Sequence, residues 1–82
     1  MSGTVTVRLF AAVAEAVGAE ELTVRAATVG DVVDALVTTG GPDTPRVLAL
    51  CSMLVDGHRA ASVDDGLPED AAVDVLPPFA GG

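Results

Sequence analysis

The residues best suited to chemistry stand together at the end of the sequence, in Leu76-Pro77-Pro78-Phe79-Ala80-Gly81-Gly82. Two successive glycines carry no Cβ, so their backbone can thread a slot that a larger side chain would block. Chain ends are mobile unless docked, and this one presents a useful group, the α-carboxylate of Gly82. A carboxylate is a poor electrophile because its leaving group is oxide, so it reacts only after activation. Other reactive side chains are isolated. Cys51 lies between Leu50 and Ser52-Met53-Leu54, apolar company in which a lone cysteine is a small buried hydrophobe. His58 has no second histidine or cysteine near it and reads as a solvated hairpin residue. Asp64-Asp65 and Glu69-Asp70 lack calcium-loop spacing, so no metal site is expected. Gly40-Gly41-Pro42 follows a helix instead of opening one, which excludes a phosphate loop.

The elements that must position the tail can be read from apolar spacing. Thr4 to Phe10 alternates, with Val5, Val7 and Leu9 on one face, as a half-buried strand does. Ala11 to Val17 reads as a short helix stopped by Gly18. Glu20 to Arg25 places Leu22 and Val24 on one face of a second strand, antiparallel to the first. Thr28-Val29-Gly30-Asp31 has the spacing of a capping box. Val29, Val32, Val33, Leu36 and Val37 then mark one face of the main helix, which Gly40-Gly41-Pro42 ends. Thr44-Pro45 predicts an N-cap and an N1 proline opening a short helix through Leu50. Asp56-Gly57 joins Ser52–Val55 to His58–Ala60 as a hairpin. Ala72 to Leu76 is the last strand, with Val73 and Val75 inward; Pro77-Pro78 ends it, because proline cannot donate to a ladder. Placing the first strand beside the last gives a mixed sheet with a helix across one face, an α+β roll.

The 82 residues make one domain with a modest, aliphatic core, expected from Val5, Val7, Leu9, Leu22, Val24, Val32, Val33, Leu36, Leu54, Val73 and Val75. The net charge is −8, and the only cations are Arg8, Arg25, Arg46 and Arg59. Such a surface repels phosphate backbones and anionic lipid, so neither nucleic acid nor membrane is an expected partner; a basic docking face suits it. One cysteine forms no internal disulfide. Met1-Ser2-Gly3-Thr4 lacks the features of a signal peptide, so a cytoplasmic location is expected.

Two segments carry a family resemblance. Val5-Thr6-Val7-Arg8-Leu9-Phe10-Ala11-Ala12-Val13-Ala14-Glu15-Ala16-Val17-Gly18 is similar to the opening of the small, sulfur-carrying subunit of molybdopterin synthase, the MoaD type of the MoaD/ThiS ubiquitin-like family. Val73-Asp74-Val75-Leu76-Pro77-Pro78-Phe79-Ala80-Gly81-Gly82 is similar to that family's final strand, Pro-Pro and Gly-Gly. Thiamine-pathway carriers share the Gly-Gly but usually lack the Pro-Pro. The sequence departs from the pattern at Ala14, where the family usually has arginine, and at Asp70, where relatives often have a turn glycine; Asp tolerates a left-handed backbone better than most residues.

The resemblance implies a ubiquitin-like β-grasp over residues 1–78 and a flexible tail over 79–82. It implies that a MoeB-type, ubiquitin-activating-like adenylyltransferase uses ATP to adenylate Gly82, with no cofactor bound by the chain itself. A sulfurtransferase would then supply the sulfur that displaces AMP and leaves a thiocarboxylate. A MoaE-type large subunit would receive the tail and place sulfur on a pyranopterin, so this chain alone would not be catalytic. Gly81 would pass a narrow channel, Pro77 and Pro78 would stiffen the exit, and Phe79, followed by Ala80, would anchor in a partner pocket. The same tail would serve thiamine, cysteine or natural-product biosynthesis, or a ubiquitin-like modifier that joins glycine to a lysine amine.

Overall fold

A computed structural model describes residues 3–77. The elements follow in the order β1 (Gly3–Leu9), α1 (Ala12–Val17), β2 (Glu21–Ala26), α2 (Val29–Thr39), α3 (Thr44–Leu48), β3 (Ser52–Val55), β4 (His58–Arg59) and β5 (Ala72–Leu76). The strands form one sheet in the order β2-β1-β5-β3-β4. β5 is parallel to β1, and the other neighbouring pairs are antiparallel. The mixed sheet, with its first and last strands adjacent and parallel, is the expected roll and has the β-grasp topology.

The alternating strands put Val5, Val7 and Leu9 of β1 and Val73 and Val75 of β5 on one face, where all are buried. Val13 and Val17 of α1, Val32 and Leu36 of α2 and Leu48 of α3 close over them. The expected Leu22, Val24 and Val33 are partly buried against this core. Leu54 is a correction. The β3–β5 register sets Met53 opposite Val75 and Val55 opposite Val73, so those two side chains face the helices and Leu54, opposite Asp74, faces away. Val37 is likewise exposed at the margin of the α2 stripe, not within it.

Local chemistry sets the helix ends. Thr28 Oγ1 accepts from the Asp31 amide, while the Asp31 carboxylate accepts from the amides of Thr28 and Ala27, which completes the capping box. Those amides hold the Asp31 carboxyl below its ordinary pKa range. Gly18 caps α1 in the left-handed conformation, as its position predicts.

Thr44 does not cap α3. Asp43 occupies the N-cap position, and Thr44 is fully buried in the first turn, its hydroxyl donating to the Ala16 carbonyl 3.3 Å away. α3 also ends at Leu48, short of Leu50. A Cβ on Gly40 would collide with the Thr44 hydroxyl, so glycine is required there for the packing of the α2–α3 corner. The hairpin turn has positive φ at both Asp56 and Gly57, the conformation that an Asp-Gly pair favours. Asp70 is also left-handed, at φ 61.

Candidate functional site

β5 leads directly toward the tail. Because it is parallel to β1, with Leu9 opposite Val75, both strands finish at the same end of the sheet. Phe10 and Ala11 follow β1 there, and Pro77 follows β5. β3 starts at the same end, with Ser52 opposite Leu76, so Leu50 and Cys51 lead into it. Four apolar residues, Phe10, Leu50, Leu76 and Pro77, therefore collect where the chain leaves the sheet. Phe10 is 39% exposed and Leu50 62%, so the core does not absorb them. Pro77 is half-buried. Pro78, Phe79, Ala80, Gly81 and Gly82 lie outside the described residues.

Beside the exit, Arg8 and Asp74 stand opposite each other in the ladder. The Arg8 guanidinium donates from Nε at 2.7 Å and from Nη2 at 2.9 Å to the two Asp74 carboxylate oxygens. This two-point contact fixes orientation as well as distance. It raises the Arg8 pKa further, through the hydrogen bonds and the charge of Asp74. The pair holds β5 against β1 one residue before Val75.

Ala11 lies at the junction of β1 and α1 with φ 51 and ψ −126, a region that glycine enters freely and alanine does not. A groove beside it is lined by Phe10 and Ala14, by the carboxylates of Glu15, Glu20 and Glu21, and by Arg8.

Cys51 is partly buried, and its thiol donates to the Val47 carbonyl at 3.2 Å. Burial pushes the thiol pKa up, which keeps it protonated and unreactive. His58 is exposed on β4, opposite Val55. Among the described residues no group of three or more His, Cys, Asp or Glu side chains is placed to hold a metal. No helix among them is long and apolar enough to cross a membrane.

The sequence reading expects the working residues on the tail and does not single out the exposed Phe10 and Leu50 beside it. The signal for Phe10 was available: Leu9 points inward, so the next residue of an alternating strand points out. No comparable signal exists for Leu50, whose exposure depends on where α3 ends.

The ThiS family model matches residues 7–82. The chain belongs to the ThiS family. Among solved structures, SAMP1 from Haloferax volcanii is 30% identical, with a TM-score of 0.80 over 98% of this chain and 100% of that one. The small archaeal modifier protein 1 of Methanosarcina acetivorans is 24% identical, with a TM-score of 0.84 over 100% and 99%. Subunit 1 in the complex of subunits 1 and 2 of the molybdopterin-converting factor from Helicobacter pylori is 20% identical, with a TM-score of 0.72 over 96% and 99%. No curated protein matches significantly. This ThiS-family chain is thus a ubiquitin-like β-grasp protein of the kind that includes sulfur carriers and protein modifiers.

Proposed function

We propose that this protein is a sulfur carrier, that Gly82 is its working residue, and that it serves as the small subunit of a molybdopterin synthase. The observation that carries the reading is the family match, which runs through Gly82 instead of stopping at the folded sheet. The parallel β1–β5 pairing supports it by bringing the end of β5, the strand that precedes the tail in sequence, to the end of the sheet where β1 also finishes.

In this reading the Gly82 carboxylate attacks the α-phosphorus of ATP on a MoeB-type partner and releases pyrophosphate. The acyl-adenylate is a mixed anhydride. A sulfur nucleophile supplied by a sulfurtransferase displaces AMP and leaves the thiocarboxylate, whose anionic sulfur is the better nucleophile. A MoaE-type large subunit then takes the tail; the Helicobacter pylori subunit 1 likewise forms a complex with its subunit 2. Gly81 passes the channel, Pro77 and Pro78 limit the entropy lost on insertion, and Phe79 anchors in a pocket with Ala80 beyond it. The apolar residues at the exit, Phe10 and Leu50, extend that contact onto the folded domain.

A second reading, a ubiquitin-like modifier, is favoured by the 30% identity to SAMP1. The adenylated glycine is then taken by a lysine amine of a target. The chain has no lysine, so it does not extend on its own side chains. Intact mass spectrometry after incubation with ATP, the activating enzyme and a sulfur source separates the two. A carrier gains the mass difference between sulfur and oxygen, and supplying the large subunit and the pterin precursor discharges it. A modifier gives ladders of conjugates, and that outcome would replace the carrier reading.

A further inference from the structure

β2 is an outer strand, with β1 on one side and no strand on the other. Its pairing with β1 sets which of its backbone groups are left over. The Leu9 amide donates to the Glu20 carbonyl, and Val7 with Leu22 and Val5 with Val24 continue that register. In an antiparallel ladder such alternate pairs exchange the hydrogen bonds, and the residues between them point N–H and C=O the other way. Thr6, which lies between those pairs, agrees: its amide donates to the Ala71 carbonyl on the β5 side. Glu21, Thr23 and Arg25, opposite Arg8, Thr6 and Thr4, therefore aim their backbone groups at the bare edge. None of the three has a further backbone partner among the described residues. The edge is short. At one end the Ala27 carbonyl accepts from the Leu67 amide, and at the other the Ala19 amide turns back to Ala14.

The open stretch, Glu21-Leu22-Thr23-Val24-Arg25, is complementary to itself when reversed. An antiparallel pairing centred on Thr23 sets Glu21 against Arg25 of a second copy, Thr23 against Thr23, and Arg25 against Glu21. All three residues have outward backbone groups, so each of these pairs exchanges two hydrogen bonds. Their exposed side chains share the helix-free face, with an ion pair on each side of a threonine pair. Arg25 has no carboxylate partner among the described residues, and Asp74 already takes two donors of Arg8 beside Glu21. On the helix side the same register sets Leu22 against Val24, and both are only partly buried in the single chain. A slip of two residues separates the opposite charges, and a parallel pairing sets like charges side by side.

We propose that β2 pairs with β2 of a second copy, antiparallel and centred on Thr23, and joins two sheets into one. Charge complementarity selects the occupant, because a second copy carries the matching glutamate and arginine at the matching spacing. The pairing is two-fold symmetric, so it closes at a dimer and does not propagate. The contact is small and each copy carries a net charge of −8, so the dimer is weak and fills at high protein concentration. β5 runs antiparallel to β2, as follows from its parallel pairing with β1. The β5 strands of the two copies therefore run in opposite directions, and their Leu76 ends lie at opposite ends of the joined sheet. Neither copy blocks the other's exit. The inference does not depend on the carrier reading.

The test is sedimentation of the full chain over a concentration series at about 0.15 M salt, where charges more than about 8 Å apart are largely screened. The unaltered protein should dimerise as concentration rises. Arg46→Glu, the same charge change made away from the edge, should match it. Arg25→Glu and Glu21→Arg should each weaken the dimer about tenfold, because each sets like charges opposite one another twice. An equimolar mixture of those two variants should restore association, since every pair across the mixed edge again joins opposite charges. Thermal unfolding checks that each variant is folded. Hydrogen exchange of the unaltered protein at high concentration gives a second readout. The amides of Glu21, Thr23 and Arg25 should gain protection, while those of Leu22 and Val24, already bonded to β1, should not change. A chain that stays monomeric at millimolar concentration, variants that associate as well as Arg46→Glu, or a mixture that restores nothing would each overturn the inference. Protection of the three amides by an unrelated extended peptide, without self-association, would assign the edge to a foreign strand and overturn it too.

Discussion

Val73 and Val75 point from β5 into the core and have no exposed surface, whereas Asp74 and Leu76 on the opposite side of the same strand are half-buried and meet no helix. The two faces answer to different physics. The helix side is an aliphatic interior in which every methyl group matters, and its side chains come from β1, β2, β3, β5 and all three helices. The open side is a row of cross-strand pairs whose neighbours are side chains and water. Stability is concentrated on the first face, so the second is free to be written in charge. That division explains how the chain can carry Arg8 and Asp74 in the middle of its sheet without a buried charge.

The strongest way to break the contrast is on the covered side. Leu36→Ala should cost about 2–5 kcal/mol. In a domain of this size each kcal/mol lowers Tm by about 4–8 °C, so calorimetry should show a large drop. A small one would mean that α2 is not part of the same core.

Deleting Gly82 should do the reverse. It removes one residue of reach, about 3.3–3.6 Å, and a misplacement near 1 Å already costs on the order of 100-fold in rate. Sulfur transfer should fall at least that far while thermal unfolding stays unchanged, since β5 ends at Leu76. Full turnover by the shortened chain would show that Gly82 is not the carrier.

An intermediate effect belongs to the α2 capping box. Thr28→Ala should cost about 1 kcal/mol by urea unfolding. The pH dependence here follows from Asp31, whose folded pKa is lowered. Its contribution is complete above the unfolded carboxylate pKa and disappears as pH falls through the folded value. Acid should therefore narrow the gap between the unaltered protein and Asp31→Asn, and a constant gap down to low pH would contradict the assignment.

Asp74→Ala should be the mildest, with less effect on unfolding than loss of the cap, because half of the Arg8 side chain is exposed to solvent screening. A drop as large as that of Leu36→Ala would erase the distinction between the faces.

Much of this arrangement was legible because it is local. Alternation in Thr4–Leu9 and Ala72–Leu76, the Asp-Gly turn and the Thr28–Asp31 spacing each act within a few residues, and each appears where its pattern puts it. The errors come from partners far away in sequence. Thr44 has the look of a cap, yet its hydroxyl is claimed by Ala16, 28 residues earlier. In Ser52-Met53-Leu54-Val55 three successive apolar residues leave the facing ambiguous, and only the pairing of Met53 with Val75 decides it. The edge facing of Glu21, Thr23 and Arg25 was hidden for the same reason, since only the register with β1 decides which backbone groups of β2 point outward. At the functional site, the sequence pointed to the tail, whereas the exposed Phe10 and Leu50 needed the strand ends to be located.

The place of β5 between β1 and β3 bears on how the protein comes to be made. Two antiparallel ribbons, β1–β2 and β3–β4, can close early, each from residues near in sequence. They touch through a strand that starts at Ala72, more than sixty residues after β1 ends. Until that strand arrives, β1 and β3 each expose a bare hydrogen-bonding edge beside an uncovered valine surface. A nascent chain held at that stage is two sticky hairpins, open to pairing with any other extended segment. β5 therefore works as a keystone, and the window before it is set is when the molecule is most in need of a chaperone.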